Sequence, residues 1–515
     1  MENISKKLSK VFLIVIILLG VFFRVYDLAN NPVHLNQDEA MNGYDAYSLI
    51  HTLRDHHGNF LPLSFESFGD WPPPVLTYLT IPFVAVLGLS EISVRLVTAF
   101  YGIGVILLSL LLAKQISIKG WGRVFLVTGF SLAPVLITQS RLAIPPSIVP
   151  FFTLLSVILL IQIIKDLTEN KRLRLYIYLL AAISLALGFM TYPTQKIFIP
   201  GVLVIFFVVL VFRNKIEKKK LLKLVLIPII FFLLIIGHLY PFIAESGRYN
   251  FRFSVVSLTT KYQGLELVAR VGRRYVQYFS PQFLLLKGDL IKMQHVENYG
   301  LVTIPVTLFF YIGLILMGLK LVRSIVKREK INQVYAFILL TTLSAPLMAS
   351  MTRDNYHTLR AIHFLTMIPI VSTIGLMELK EILKKEIHKK ILIVLVILSV
   401  IFSVIYAFSF FNYYTTEYRE KNKWAFQFGV KDLIEKANTL KDKQVIVDDV
   451  SINMPYIYYL FFNKVTPSEE VFCEINDCKN QPTRPIGWVD VKKIGNVRFG
   501  DISKEDCKVN YCLGL

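Results

Sequence analysis

Apolar segments of membrane-spanning length recur along almost the whole chain. Examples are VFLIVIILLGVFF near the N-terminus, FLVTGFSLAPVLI in the first third and ILIVLVILSVIFSVIYAF towards the C-terminus. A bilayer core takes roughly 20 mostly apolar residues per helix, and continuous apolar runs indicate helices because barrel strands alternate apolar and polar residues. The pattern predicts a polytopic integral membrane protein built from helices.

Basic residues between these runs predict the orientation of the helices. Only 18% of the residues are charged, less than the proportion of about a quarter that is typical of soluble proteins. A net charge of +20 alone would fit a nucleic-acid-binding protein. Nearly half of the basic residues, however, lie in short segments between apolar runs, which is the positive-inside pattern, and we expect no nucleic-acid partner. The segments placed in the cytoplasm are 1–10, 114–123, 165–174, 213–223, 320–330 and 380–390.

Counting helices back from the C-terminus predicts about eleven transmembrane spans in a plasma membrane. Segment 73–89 is left out of the count, because as a span it would put the basic loops after it outside. It is short, begins with prolines and contains Pro82, which favours an interfacial or re-entrant helix. Lys6, Lys7 and Lys10 precede an apolar run without a cleavage site, which predicts an uncleaved first helix and a cytoplasmic N-terminus. The spans begin near residue 11 and continue at 92–115, 122–139, 148–165, 174–190, 196–212, 221–241, 301–322, 333–350, 361–377 and 391–411.

This topology leaves two large outer loops, 27–91 and 242–300, and an outer tail at 412–515. In the tail, VIVDDV is typical of a buried strand and INMPYIYYLFFN of a short amphipathic segment. We expect an all-α membrane domain at 1–411 and a small extracytoplasmic α/β domain after it. The four cysteines of the tail favour disulfides on an outer face; a repeated C-x4-C also fits zinc, and the pairing stays open. They are Cys473, Cys478, Cys507 and Cys512.

The first outer loop contains an adjacent acidic pair, Asp38 and Glu39, directly after the first helix. A single acidic pair is more often a solvated surface than a site. Here it lies at the membrane boundary, in a loop rich in aromatic residues, glycine and proline, where low polarity can tune a carboxylate into a general base. Asp45, Asp55 and Asp70 are weaker candidates; Asp45 follows Asp38 by seven residues and shares its face if 37–53 is helical.

Basic residues on the outer side contradict the positive-inside bias, and the chain has few of them in its short outer loops. Their plain interpretation is snorkelling to lipid headgroups, which is as good as a functional one for Arg141. The residues Arg353, His357 and Arg360 cluster where an anion could bind, which favours a functional role. The candidates for substrate binding are Asp70, Arg141, Lys196, Arg353, His357 and Arg360. In the second outer loop, LELVARVGRRYVQYF suits an interfacial amphipathic helix, structural or catalytic.

The order of the motifs in 38–96 resembles a known family. DEA, GYDAYSL, HG, GD, PP, YL and LGLSEISVRL follow one another as in the first lumenal loop of GT-C glycosyltransferases of family 39, with the protein O-mannosyltransferases and the lipid A aminoarabinose transferases. SRLAIPPS, TYPTQKIFIP, SPQFLLLKGD and RDNYHTLRAIHFLTMIP are similar to later landmarks of bacterial members. The resemblance covers roughly residues 10–410.

The resemblance implies a GT-C fold whose first outer loop carries interfacial helices and the catalytic acidic residue. It also implies a polyprenyl-phosphate sugar donor, and Asp38 matches the position of the catalytic carboxylate. One departure is that Asp70-Trp71 and a third proline replace the Glu-Lys that precedes the double proline in aminoarabinose transferases. Phosphate binding by a lysine at that position is therefore not expected.

Three classes of function remain open at this point. A glycosyltransferase would use Asp38 or Glu39 to deprotonate an acceptor hydroxyl in a single inverting displacement, with cations stabilising the lipid-phosphate leaving group and with no metal or cofactor. A transporter or flippase of lipid-linked sugars is the alternative, and a carbohydrate-binding or sensor protein comes third. Transporters place ionisable groups at mid-membrane and show repeats. Here polar residues collect at the outer boundary, which favours the enzyme.

Overall fold

The protein is mostly helical, as the sequence predicts. The computed structural model describes residues 2–171, 174–211, 218–289, 291–440, 444–478, 491–502, 507 and 510–514. The first ten α-helices are α1 (Glu2–Val25), α2 (Gln37–Thr52), α3 (Val75–Leu87), α4 (Glu91–Gln115), α5 (Gly120–Ser131), α6 (Pro134–Gln139), α7 (Val149–Thr168), α8 (Leu175–Phe189), α9 (Gln195–Val211) and α10 (Lys218–Ala244). The next eight are α11 (Ser246–Tyr249), α12 (Phe251–Val256), α13 (Gly264–Tyr278), α14 (Ile304–Val326), α15 (Gln333–Ser344), α16 (Leu347–Ser350), α17 (Ile362–Ile382) and α18 (Glu386–Thr415). The tail adds α19 (Glu417–Lys421), α20 (Val430–Thr439), α21 (Pro455–Phe462) and α22 (Glu469–Asn476).

Within the described residues, eight helices are long and apolar enough to cross a membrane. They contain α1, α4, α7, α10, α14, α15 with α16, α17 and α18. The other predicted spans are helical but shorter: α8 and α9 have 15 and 17 residues, and the 122–139 span divides into α5 and α6 at Pro134. The polytopic helical fold is thus confirmed. Helix α3 has 13 residues, about 20 Å at 1.5 Å per residue, and is too short to cross a core of about 30 Å.

Helices α14 and α17 pack closely because each presents a glycine to the other. A Cβ on Gly313 would meet the carbonyl oxygen of Val371 at 2.3 Å, and one on Gly375 would meet the backbone nitrogen of Gly313 at 2.5 Å. Small residues at helix interfaces are the usual means of close packing in membranes, where no hydrophobic effect draws helices together. The two glycines therefore allow the backbones of α14 and α17 to approach closely.

The amphipathic segment of the second outer loop forms α13, as predicted. Its C-terminal end lies against the outer ends of two membrane helices. The Tyr275 hydroxyl donates to the carbonyl of Leu343 in α15 at 2.7 Å, and Tyr311 of α14 donates to the carbonyl of Phe279 at 2.8 Å. The apolar residues Leu265, Val268 and Val276 of α13 stay exposed. The helix thus suits the predicted interfacial position.

The tail contains a small four-stranded sheet in the order β2–β3–β1–β4. Strand β1 is parallel to β3 and β4, and β2 is antiparallel to β3. The predicted strand VIVDDV supplies β1, and the predicted amphipathic segment becomes α21, which is buried on nearly every side. The strands are β1 (Val445–Val447), β2 (Lys493–Ile494), β3 (Val497–Phe499) and β4 (Tyr511–Leu513).

Helix α21 is buried on both sides because the tail packs on the first outer loop. One hydrophobic core joins residues of α2, such as Met41 and Tyr44, to residues of α21 and the sheet. A Cβ on Gly43 would lie 2.6 Å from the ring of Phe461, so this contact needs glycine. The Tyr44 hydroxyl donates to the carbonyl of Val465 at 2.8 Å. The division into domains 1–411 and 412–515 stays a prediction, and the tail shares its core with the first loop.

The cysteines of the tail do not all have the same state. Cys507 and Cys512 form a disulfide. Cys473, in α22, carries a thiol, and Cys478 lies just beyond that helix on the surface. The expectation of disulfides in the tail, made with the pairing open, thus agrees with the Cys507–Cys512 bond and stays a prediction for Cys473 and Cys478.

Candidate active site

The acidic pair begins helix α2, and the helix start fixes its geometry. Asn36 is the N-cap: its side-chain oxygen accepts from the backbone N–H of Glu39 at 2.9 Å, and the Glu39 carboxylate accepts from the backbone N–H of Asn36 at 3.1 Å. This reciprocal capping box satisfies two donors that a helix start leaves open. Asp38 stands in the same first turn and is half-buried, where the positive end of the helix dipole stabilises its charge.

Glu39 is fully buried, and its carboxylate has partners on both oxygens. Arg95 of α4 binds it with two hydrogen bonds of 3.0 and 3.2 Å. The backbone N–H of Ala143 donates to the same oxygen as the Arg95 Nε, at 2.9 Å, and the N–H of Asn36 takes the other oxygen. A carboxylate has about four lone-pair sites, and these four donors use them all. Glu39 therefore holds the loop, and Asp38 is the more exposed member of the pair.

Arg95 ties the start of the first loop to α4. Beyond Glu39, its guanidinium donates to the carbonyls of Leu28, Ala29, Pro32 and His34 at 2.6–3.2 Å. These carbonyls follow the end of α1, where no helical partner remains for them. A buried charge in a span is costly unless it is paired in this way. Sequence reasoning missed Arg95 as a structural centre, and its position four residues into an apolar helix was the available signal.

The predicted substrate-binding residue Arg141 has a similar structural position. It is fully buried, and its guanidinium donates to the carbonyls of Phe23, Tyr26, Asp27 and Asn31 at 2.8–3.2 Å. These contacts hold the end of α1 and the chain that follows it. Carbonyl oxygens of the protein thus accept hydrogen bonds from the charged group of Arg141. Its role in substrate binding stays a prediction, and the structural alternative is that Arg141 holds the end of α1.

A buried acid–histidine pair connects the first loop to the tail. Asp45 accepts from the backbone N–H of His56 at 2.8 Å, and the same oxygen lies 2.7 Å from the ring Nδ1. Both side chains are fully buried. Burial raises the pKa of Asp45 to about 7, because a charged carboxylate loses its hydration there. The other ring nitrogen of His56 lies 3.5 Å from the hydroxyl of Tyr456 in α21. Asp45 thus lies in the interior, and because α2 is helical over Gln37–Thr52, its spacing of seven residues puts it on the same side of the helix as Asp38.

The predicted residues Asp70 and Lys196 lie in one neighbourhood. Asp70 closes a tight turn through two backbone hydrogen bonds with Ser67, and its side chain accepts from the N–H of Trp71 at 2.8 Å. Lys196, at the start of α9, has its ammonium 3.1 Å from the ring centre of Phe242, and its charge interacts with that of Asp70. The ring of Trp71 stacks on Tyr249 with 4.1 Å between the centres. The carboxylate of Asp70, the ammonium of Lys196 and several aromatic rings thus lie near the start of α9 and the end of α10.

The predicted cluster Arg353, His357 and Arg360 engages groups of the protein. Arg353 donates to the Ser257 carbonyl at 3.3 Å and to the Thr260 hydroxyl at 3.2 Å, which fastens the second outer loop. Arg360 forms an ion pair of 2.5 Å with Asp354. His357 Nδ1 lies 4.0 Å from the carboxylate of Asp289. Each cation has its own protein contact, so the structure does not single the cluster out as an anion site.

Some buried polar side chains that sequence reasoning missed have no partner within the part of the chain that the structure describes. These are the hydroxyl of Thr194, both ends of the amides of Gln195 and Gln139, and one ring nitrogen of His238. Buried polar groups almost always have a hydrogen-bond partner, so such a set points to water or a ligand. The available signal was the polar triplet Thr-Gln-Lys at the start of an apolar span.

Comparison with known proteins gives a family match for the N-terminal part of the chain and a similar fold for most of it. The model of the family described as dolichyl-phosphate-mannose-protein mannosyltransferase matches residues 14–248. Sequence comparison with curated proteins gives no match. Among solved structures, ArnT from Cupriavidus metallidurans in the apo state is similar with a TM-score of 0.53 and 10% identity, over 92% of this chain and 88% of that one. ArnT bound to undecaprenyl phosphate gives 0.53 and 11%, over 88% and 84%.

A second similar structure is the Archaeoglobus fulgidus oligosaccharyltransferase tethered with an acceptor peptide. Its TM-score is 0.55 at 13% identity, and the match covers 90% of this chain. The chain spans 64% of the length of that enzyme. The chain thus has the fold of these solved structures. Its N-terminal part matches the protein mannosyltransferase family model, and the resemblance found in residues 38–96 is confirmed.

Proposed function

We propose that the chain transfers a sugar from a polyprenyl phosphate to an acceptor hydroxyl on the outer face of the plasma membrane. The observation that carries the proposal is the division of the acidic pair. The carboxylate of Glu39 accepts hydrogen bonds from Arg95, Ala143 and Asn36. Glu39 thereby holds the first turn of α2, in which the half-buried Asp38 stands. A carboxylate fixed in this way is pre-organised for one orientation, which is what a general base requires.

In the proposed reaction Asp38 accepts the proton of the acceptor hydroxyl while the hydroxyl oxygen attacks C1 of the sugar. The bond between C1 and the phosphate oxygen breaks, and the polyprenyl phosphate leaves with the bonding electrons. A single displacement of this kind inverts C1. Because negative charge grows on the phosphate, a nearby cation stabilises the transition state more than the ground state. No step needs a metal or a cofactor.

A transfer assay tests the proposal. Purified protein in a lipid bilayer is given radiolabelled sugars on undecaprenyl phosphate, together with membrane extract as the source of acceptor. We expect the label to move to an acceptor with release of undecaprenyl phosphate, for at least one sugar. The same sugars on uridine diphosphate should give no transfer, because the proposed donor site lies at the membrane. Transfer from the nucleotide sugars alone would reject the proposed donor class.

The proposed sidedness rests on the Lys/Arg-rich loops and can be measured directly. With the N-terminus in the cytoplasm, a reporter enzyme that is active only outside should be active when fused after Leu515 and inactive when fused after Lys220. A cytoplasmic reporter should give the opposite pattern, and it serves as the control for expression. A cytoplasmic position of Leu515 would remove Asp38 from the outer face, and with it the proposed site.

A further inference from the structure

The start of helix α9 contains two consecutive polar side chains that the described residues do not satisfy. Thr194 and Gln195 are 2% and 1% exposed. Neither the Thr194 hydroxyl nor either end of the Gln195 amide has a hydrogen-bond partner within the described residues. Leaving such groups unpaired in the interior is costly, and natural proteins rarely do so without a water molecule or a ligand in that place. The two side chains therefore mark a polar space at the outer end of the bundle.

Lys196 brings a positive charge to the same place. Within the described ranges no carboxylate oxygen lies within 4.0 Å of its ammonium, whose recorded contact is the face of Phe242. A ring face attracts a cation but does not neutralise it. The position is on the outer side, where lysine is disfavoured by the positive-inside bias. Lys196 thus has the charge of Asp70 nearby but no carboxylate in contact with its ammonium, so the ammonium can still bind an anion.

His238 and aromatic rings of α10 and α11 lie next to Lys196. The Nδ1 atom of His238 lies 2.6 Å from the carbonyl of Leu63, which makes Nδ1 the protonated nitrogen, and its Nε2 has no partner within the described residues. The histidine interacts electrostatically with Lys196, so the two are neighbours. Phe242 follows one turn later on α10, and its ring is 5.2 Å from that of Tyr249. The space is thus polar at the α9 side and aromatic at the α10 side.

We propose that the start of α9 binds the phosphate monoester of the polyprenyl carrier, with Lys196 as the counter-charge and with Thr194 and Gln195 as hydrogen-bond donors to its oxygens. The inference rests on the proposed function, because it takes the donor to be a polyprenyl phosphate. A phosphate at this place converts the unpaired groups into charge-assisted hydrogen bonds, the strong kind. Arg353 and Arg360 are poorer choices, since a carbonyl, a hydroxyl and a carboxylate of the protein already occupy their guanidinium groups.

Binding of undecaprenyl phosphate to the purified protein in phosphatidylcholine nanodiscs tests the site. Lys196→Met should weaken binding about tenfold or more, because it removes a charge-assisted contact, and Lys196→Arg should keep most of it. Lys292→Met is the matched control, since Lys292 also stands over an aromatic ring, that of Trp424, in the second outer loop, and its loss should leave binding unchanged. Asp38→Asn should bind normally.

Gln195→Leu supplies a readout that a structural residue would not give. Leucine has a similar volume and removes an unsatisfied amide, so the melting temperature should rise while affinity for undecaprenyl phosphate falls. If Gln195 only served the fold, the melting temperature would fall and binding would follow folding. Competition with inorganic phosphate and with phosphatidylglycerol separates the possible sources of the anion. The proposed site predicts that undecaprenyl phosphate stays bound when either competitor is added in excess.

The outcomes separate this inference from the proposed function. Wild-type binding that persists unchanged in folded Lys196→Met overturns the site and leaves the proposed donor standing. Displacement of undecaprenyl phosphate by phosphatidylglycerol at equal concentration assigns the site to ordinary headgroups and overturns it as well. No binding of undecaprenyl phosphate by the wild type overturns the proposed donor class, and the site with it.

Discussion

Replacing Asp38 with Asn should reduce sugar transfer by about 10²–10⁴-fold, the usual contribution of a positioned general base. Asparagine keeps the shape of the side chain but cannot accept the proton of the acceptor hydroxyl. The variant should express, insert and bind undecaprenyl phosphate like the wild type, because the capping box of α2 depends on Asn36 and Glu39 and not on Asp38. Single-turnover transfer with a verified donor and acceptor measures the effect on chemistry.

Asp432→Asn is the matched control for this variant. Asp432 also stands in the first turn of an outer helix, α20, so its loss removes the same favourable interaction with a helix dipole. Transfer by Asp432→Asn should stay near the wild-type rate. If Asp38→Asn transfers sugar at a nearly normal rate, Asp38 is not the base, and Asp70 becomes the next carboxylate to test.

The membrane helices were predictable because their signal is local. An apolar run of spanning length gains the same transfer free energy wherever it lies in the chain, and basic loops report the side of the membrane. All eleven predicted positions are helical. Their ends were less predictable: Pro134 lacks an N–H for the helical ladder, which divides one predicted span into α5 and α6.

The docking of the tail could not be predicted, because hydropathy says nothing about which outer segments meet. The hydrogen bond from Tyr44 to the carbonyl of Val465 joins residues 421 positions apart. Gly43 shows the difficulty: in the sequence it interrupts a helix, and the side chains of Phe461 and Val94 in the folded protein explain why a larger residue does not fit. The shared core also explains why α21 is buried on both sides where the sequence predicted an amphipathic segment.

The functional residues were predictable by type and less so by role. The acidic pair was found from its place after the first helix, and only the family resemblance favours Asp38 over Glu39. The structure adds a difference in burial, since Glu39 is fully buried against Arg95, 56 residues away, while Asp38 is half-buried. For Arg141 the sequence favours headgroup contact and substrate binding equally. In the structure its guanidinium donates to carbonyls at and after the end of α1, since a buried helix end needs donors.

Replacing Glu39 with Gln should destabilise the protein by about 3–5 kcal/mol, the usual cost of removing one partner from a buried ion pair. Both Glu39 and Arg95 are fully buried, so Arg95 would keep a charge that only backbone carbonyls face. In either orientation the glutamine NH2 group would in addition face a donor of Arg95 together with the backbone N–H of Ala143 or of Asn36. Thermal unfolding in detergent should show a clearly lower midpoint, together with lower expression.

Glu91→Gln is the matched control, because Glu91 lies one turn from Arg95 on α4 and pairs with Lys431 at 2.7 Å. That pair is partly exposed, with 24% and 42% of the two side chains accessible, and such pairs contribute about 0–1 kcal/mol. Its midpoint should stay close to that of the wild type. The double variant Glu39→Leu, Arg95→Leu should be more stable than Arg95→Leu alone, because it leaves no buried charge unpaired. Equal midpoints for Glu39→Gln and the wild type would show that Glu39 does not hold the loop, and Glu39 would then return as a candidate for the catalytic base.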